Sequence, residues 1–209
     1  MRPTTLPPHT LRVEDIASSP HFRPLHSLCG VAHDLRYASG NNFAGTKLYG
    51  DLDCAWLRTE AALGLEQAAV WLHVQRPGWR LLVLDALRPQ RVQEAIWRDV
   101  EGTPAQHYFA NPVPGSIHSW GLAVDVTLLD ATGAEIDMGS AFDEMHERSH
   151  PELHLELLAS GALQPQHVQR RNLLLTAMQQ GGFQGIGIEW WHFDHGDRQQ
   201  LRRTLPRVF

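Results

Sequence analysis

The stretch Gly115-Ser116-Ile117-His118-Ser119-Trp120-Gly121-Leu122-Ala123-Val124-Asp125-Val126-Thr127-Leu128 places a histidine on a short polar turn. Seven residues later it places an aspartate inside an apolar, β-branched run. An ionised carboxylate in such a strand needs a partner, because an unpaired charge in apolar surroundings is very costly. A metal ion shared with His118 is one such partner. A catalytic zinc takes three protein ligands from His, Asp or Glu and keeps a fourth position open. His192, between Trp191 and Phe193, is the best candidate for the third ligand, and Glu189 lies three residues before it. A carboxylate beside a metal can accept a proton from water and pass it to a leaving amine. In a regular strand a spacing of three sets Glu189 and His192 on opposite faces. The chemistry therefore requires a bend or bulge between the two tryptophans.

These residues need elements to hold them. Leu122–Leu129 reads as a strand, and Asp130-Ala131-Thr132-Gly133 as a turn into a second short strand near Glu135–Met138. Gly187–Phe193 reads as the last strand. Trp79–Leu87 is a continuous apolar run suited to a buried strand, ended by Arg88-Pro89. Val31–Tyr37 reads as a strand with Leu35 and Tyr37 on one face. Leu57, Ala61, Leu65, Ala68 and Leu72 recur at helical spacing within a helix expected from Asp53 to Gln75, closed by Pro77-Gly78. Further helices are expected over Pro89–Val100, Pro151–Ala159 and Gln166–Gln180, the last capped by Gly181-Gly182. Gly139–His150 reads as loop. Residues 1–24 read as an extended arm, because Pro3, Pro7, Pro8, Pro20 and Pro24 forbid a long helix. Strands and helices interleave without regular βαβ spacing. The expected class is α+β, a central mainly antiparallel sheet flanked by helices.

The chain as a whole sets outer bounds. Its 209 residues suit a single domain with a real core, spanning 1–209. A net charge of −5 does not suggest a nucleic-acid-binding surface. No apolar run is long enough to cross a membrane, and the N-terminal residues lack the apolar core of a signal peptide, so the cytoplasm is expected. Cys29 and Cys54 lie in no metal motif, and two buried thiols are expected in preference to a disulfide. No motif speaks to oligomeric state.

Ser-x-His-x-x-Gly-x-Ala-x-Asp (Ser116 to Asp125) together with Glu-x-x-His (Glu189 to His192) resembles the zinc D-alanyl-D-alanine peptidases, a superfamily that also holds the hedgehog signalling fold. Further motifs follow in order: Asp34-Leu35-Arg36-Tyr37-Ala38, Asn42-Phe43-x-Gly45, Asp85-x-x-Arg88-Pro89, Met138-Gly139-Ser140-x-Phe142-Asp143, Glu147-Arg148-Ser149-His150 and Asn172. Over residues 33–193 the chain is similar to the VanX-type D-Ala-D-Ala dipeptidases. The resemblance implies a hedgehog/D,D-peptidase-like fold and one Zn²⁺ per chain, bound by His118, Asp125 and His192. It implies Glu189 as general base and acid, and Arg88 as the cation that holds the scissile carbonyl and stabilises its oxyanion. Tyr37 and Asp143 would recognise the substrate ammonium, and Ser116 would help bind a substrate terminus. The implied substrate is the small dipeptide D-alanyl-D-alanine, met in cell-wall precursor or peptidoglycan-fragment metabolism. Longer peptidoglycan peptides or other D-amino-acid dipeptides are the alternative, and a non-catalytic zinc-bearing binding domain is a third reading. Each residue also has a plainer reading: Arg88 pairing Asp85 or a surface carboxylate, Tyr37 filling a core, Asp143 capping a helix or serving as a loop charge, and Glu189 as a strand-edge charge. Leu87, Trp120, Leu122 and Phe193 depart from the residues usual in this branch, which bears on pocket shape and on the exact dipeptide.

A literal His-Glu-x-x-His also occurs, His146-Glu147-Arg148-Ser149-His150. Such a motif binds metal only on a helix that puts both histidines on one face. Pro151 follows directly and disfavours helical geometry at His150. The expectation is a decoy that forms part of the wall around the site.

Overall fold

The computed structural model describes residues 10–209. In chain order the strands are β1 (Thr10–Leu11), β2 (Phe22–Pro24), β3 (Val31–His33), β4 (Trp56–Arg58), β5 (Arg80–Asp85), β6 (Ala123–Leu129), β7 (Phe183–Gly185), β8 (His192–His195) and β9 (Arg207–Val208). The helices are α1 (Thr59–Gln75), α2 (Gln90–Val100), α3 (His154–Ala159), α4 (Pro165–Gln180) and α5 (Arg198–Thr204). Five strands form one sheet in the order β3-β5-β6-β8-β7. The pair β3/β5 is parallel and the other three pairs are antiparallel. The expected mainly antiparallel sheet flanked by helices is therefore present.

Strand β6 is buried along its whole length, in keeping with a run that is apolar except for Asp125 and Thr127. Its alternation divides the molecule. Val124, Val126 and Leu128 enter the main core with Leu65, Leu72 and Leu174. Leu129 joins Leu82, Leu84, Ala32 and Phe142 in a separate cluster. With period-2 alternation Asp125 and Thr127 share the face of Leu129. Helix α1 packs on α4 and against β5, and α4 against β7, so the helices cover the first face. The helices approach closely where Gly64 meets Gly181, since a Cβ on either would overlap the other's carbonyl oxygen.

One irregularity re-aims a side chain. The β5/β6 register runs Leu82↔Thr127 and Val83↔Val126, then shifts so that Asp85 opposes Asp125. A regular ladder would have set Leu84 there. The bulge sets Asp85 opposite Asp125 on the neighbouring strand, and its carboxylate meets Arg88 and Tyr49.

Several boundaries differ from expectation. Strand β3 stops at His33, and Tyr37 sits on a 3-10 turn, Arg36–Ala38, because the chain leaves the sheet edge after Asp34 N–H donates to the Val83 carbonyl. Leu35 and Tyr37 are both buried nonetheless. The helix expected from Asp53 begins at Thr59, because Trp56–Arg58 pairs with β2 and buries Leu57 as a strand residue. The strand expected at Glu135–Met138 is a single bridge, Leu129↔Glu135. The strand expected over Gly187–Phe193 lies at His192–His195 and is not the last, since β9 follows it; β7, α5 and β9 were not foreseen.

The N-terminal arm is partly ordered into elements: Val13–Ser18 is a 3-10 helix, β1 pairs with β9 and β2 with β4. Residues 1–9, with Pro3, Pro7 and Pro8, lie outside the described residues. Cys54 is buried, but Cys29 is exposed and both are free thiols, which corrects the expectation of two buried ones.

Candidate metal centre and active site

His118 rides on the 3-10 turn Ile117–Trp120, which Gly121 closes in the left-handed region at φ 68°. Only glycine suits that position, since a Cβ there would also lie 2.8 Å from the Phe22 ring. The turn leads straight into β6 and Asp125. Asp125 and His192 are direct partners across β6 and β8. Three atoms converge: His118 Nε2 lies 3.2 Å from His192 Nδ1 and 3.4 Å from Asp125 Oδ1, and His192 Nδ1 lies 3.0 Å from Asp125 Oδ1.

The remaining ring nitrogens settle the tautomers. His118 Nδ1 faces the Ala86 carbonyl oxygen at 2.7 Å and so must donate to it. His192 Nε2 faces Asp194 Oδ1 at 3.0 Å and donates there. Two imidazole lone pairs and a carboxylate are thereby aimed at one another, an arrangement that calls for a cation between them. Burial pushes the Asp125 carboxyl up, but His118 and His192 beside it bring it well below the usual carboxylate range. Burial disfavours the charged form of His192, yet Asp194 and Asp125 raise its pKa well above the ordinary value, so a metal ion at this point would take the place of a proton on Nδ1. The donor set fits zinc: bonds of about 2.0–2.1 Å in a tetrahedron space the ligand atoms about 3.3 Å apart. Among the described residues this is the one cluster of His, Cys, Asp and Glu suited to a metal.

Glu189 lies in irregular chain before β8, with bends at Trp190 and Trp191. Trp190 N–H donates to the Ser149 carbonyl, while the Trp191 carbonyl accepts from Val126 N–H. The bend required between the tryptophans is therefore present, and Glu189 Oε2 reaches 4.0 Å from His192 Nδ1. Burial lifts the Glu189 carboxyl to about 7; His192 opposes the rise and Asp125 adds to it. A carboxyl poised there can both take and give a proton near neutrality.

Arg88 bridges two carboxylates. It pairs with Asp85, at 3.0 Å from Nε and 2.7 Å from Nη2 to Oδ2, and it also faces the site, 3.5 Å from Asp125 Oδ2. Gln93 Oε1 accepts from its Nη1 at 3.1 Å, and the Tyr37 ring lies 4.8 Å from its Cζ. Burial works against its charge, but Asp85 more than restores it. Tyr37 Oη donates to Asp143 Oδ1 at 3.4 Å. Asp143 holds a positive φ of 59°, and burial together with the nearby Asp125 raises its pKa well above the ordinary value.

A cleft of about 340 Å³ gathers all eight residues singled out from the sequence: Tyr37, Arg88, Ser116, His118, Asp125, Asp143, Glu189 and His192. Leu87, Trp120, Leu122 and Phe193, the departures expected to shape the pocket, do not line it. The His146–His150 motif forms no helix. Both histidines have extended backbones flanking a 3-10 turn at Glu147–Ser149. His146 Nδ1 accepts from Arg148 N–H, and His150 Nε2 meets Tyr108 Oη at 2.9 Å. No residue of the motif lines the cleft, contrary to the expectation that it forms part of the wall; His150 meets Tyr108, which does.

Some contributors escaped the sequence reading. Asp194 has the same strand parity as His192, a signal that was available. Arg198, bonded to Asp194, follows the N-cap Asp197 of α5, also legible. The bond from Tyr49 Oη to Asp85 had no local signature.

A family model described as D-ala-D-ala dipeptidase matches residues 21–208. The chain is 40% identical over 162 residues to a D-alanyl-D-alanine dipeptidase of Escherichia coli strain K12, covering 77% of each chain. It is 36% identical over 172 residues to one from Synechocystis, covering 68% of this chain and 70% of the relative. It is 32% identical over 184 residues to one from Enterococcus faecalis, covering 79% and 86%. Matched by the family model along most of its length and 32–40% identical to these relatives, this chain is a member of the D-Ala-D-Ala dipeptidase family of peptidases.

Proposed function

We propose that the chain hydrolyses D-alanyl-D-alanine to two molecules of D-alanine, with one Zn²⁺ held by His118 Nε2, Asp125 and His192 Nδ1. The observation that carries this reading is the convergence of two imidazole lone pairs and a carboxylate beside the buried Glu189, in a member of this family. When bound, zinc supplies Lewis-acid polarisation and eases loss of a proton from water. Glu189 takes the proton of the water whose oxygen attacks the scissile carbonyl carbon, and returns it to the amine nitrogen as the C–N bond breaks. Arg88, fixed by Asp85 and Gln93, meets the negative charge that develops on the carbonyl oxygen. Asp143, with Tyr37, receives the substrate ammonium, and Ser116 helps hold the other terminus.

The same proposal takes residues 1–209 as one domain with the fold of the zinc D,D-peptidases and hedgehog proteins. The mainly antiparallel sheet carrying Asp125 and His192 on adjacent strands supports it. A cytoplasmic setting, where a free dipeptide is met, belongs to this reading. Among the described residues no helix is long and apolar enough to cross a membrane. The test is hydrolysis of D,D, L,D and L,L dipeptides by zinc-loaded protein, with and without a chelator. Cleavage of D-Ala-D-Ala that stops on chelation and returns with Zn²⁺ is expected. Equal rates with and without metal would overturn the reading.

A further inference from the structure

The cleft is lined by charges of both signs joined in a chain of contacts. At one end Asp143 touches Tyr37, whose ring lies under Arg88. Arg88 reaches Asp125, and Asp125 meets His118 and His192 at the centre. From the centre the contacts continue outward through His192 to Asp194 and from Asp194 to Arg198. Arg202 follows one helical turn later on α5 and also lines the cleft. Its Nη2 donates to the carbonyl of Gly115, at 2.9 Å, which places the guanidinium beside Ser116.

The two arginines at this end differ. Arg198 is neutralised by the buried Asp194. Arg202 has no carboxylate within ion-pair distance among the described residues, and its bond to Gly115 uses one N–H of five. A guanidinium held by one anchor, with its other donors free at the mouth of a cleft, suits a carboxylate. A free dipeptide is a zwitterion with its charges at opposite ends. Along the chain of contacts, Asp143 stands before the reacting centre and Arg202, unpaired by any carboxylate among the described residues, stands beyond it.

We propose that Arg202, beside Ser116, binds the C-terminal carboxylate of the dipeptide and thereby selects a free dipeptide over one whose terminus is blocked or extended. This rests on the dipeptidase reading above. The test compares binding, by calorimetry on zinc-loaded protein, of two non-cleavable analogues in which CH₂–NH replaces the scissile amide of D-Ala-D-Ala. One ends in a carboxylate and the other in a carboxamide. The wild type is expected to favour the carboxylate form by about tenfold, the strength of a charge-assisted hydrogen bond at a partly solvated site. Arg202→Gln should abolish that preference and raise KM for D-Ala-D-Ala by a similar factor with kcat nearly unchanged, and Arg202→Lys should restore part of it. Arg203→Gln is the control: it removes the same charge from the adjacent residue, which does not line the cleft, and should leave the preference intact.

A preference that survives Arg202→Gln, or that falls equally in Arg203→Gln, would overturn the assignment. Binding is read separately from turnover, so a protein that binds the analogues with this preference but does not cleave D-Ala-D-Ala would defeat the dipeptidase reading alone.

Discussion

Two histidine-bearing regions of this molecule contain the same residue types and come to opposite ends. At His118, Asp125 and His192, strands and a glycine-closed turn fix the backbone, and each imidazole donates its N–H outward, to Ala86 or Asp194. Both lone pairs then face the same carboxylate. At His146-Glu147-Arg148-Ser149-His150 the spacing matches a metal motif better, yet the backbone is a 3-10 turn between extended residues. There the ring nitrogens find local partners in Arg148 N–H and Tyr108 Oη. A histidine becomes a ligand when its other nitrogen is already occupied and its neighbours' lone pairs converge on the same point. Sequence spacing is secondary to that.

The comparison can be broken most directly at Asp125. Asp125→Ala should lower bound metal from one equivalent per chain to none and take hydrolysis to background, measured by metal analysis of dialysed protein alongside the assay. Retention of stoichiometric metal would mean that the centre lies elsewhere. Glu189→Gln separates chemistry from metal holding: kcat should fall by about 10²–10⁴ while metal content stays at one equivalent. Asp194→Asn keeps an acceptor for His192 Nε2–H but removes its charge. We expect metal affinity, measured by competition with a chromophoric chelator, to weaken by about 10–100-fold. The smallest effect belongs to the other region. His146→Ala combined with Glu147→Gln should leave metal stoichiometry and kcat/KM within about twofold of wild type, as for surface substitutions remote from a site. Loss of metal in that variant would reverse the comparison.

Much of the site was legible in the chain because its residues sit in strongly patterned context. Asp125 stood out as a charge inside a run that had to be buried, and the need for a bend between Trp190 and Trp191 followed from the period of a strand. The tandem Gly181-Gly182 read only as a helix cap, which hid β7 just beyond it. The helical spacing of Leu57 with Ala61 masked β4, because a residue buried on a strand and one buried on a helix leave the same apolar trace.

Residue types and spacing were enough to name the groups suited to the chemistry: a carboxylate that must be buried, histidines and a glutamate to join it, an arginine ending a buried strand, and a mainly antiparallel sheet to hold them. Only the tertiary structure decided which nitrogen of each histidine faces the centre, because that depends on the Ala86 carbonyl and the Asp194 carboxylate brought alongside by the β5/β6/β8 pairing. It also decided that a bulge turns Asp85 onto Arg88, and that α5 lays Arg202 along the cleft with no carboxylate partner among the described residues. Hydrogen-bond direction and charge pairing act over a few ångströms between residues distant in sequence, and folding alone sets those distances.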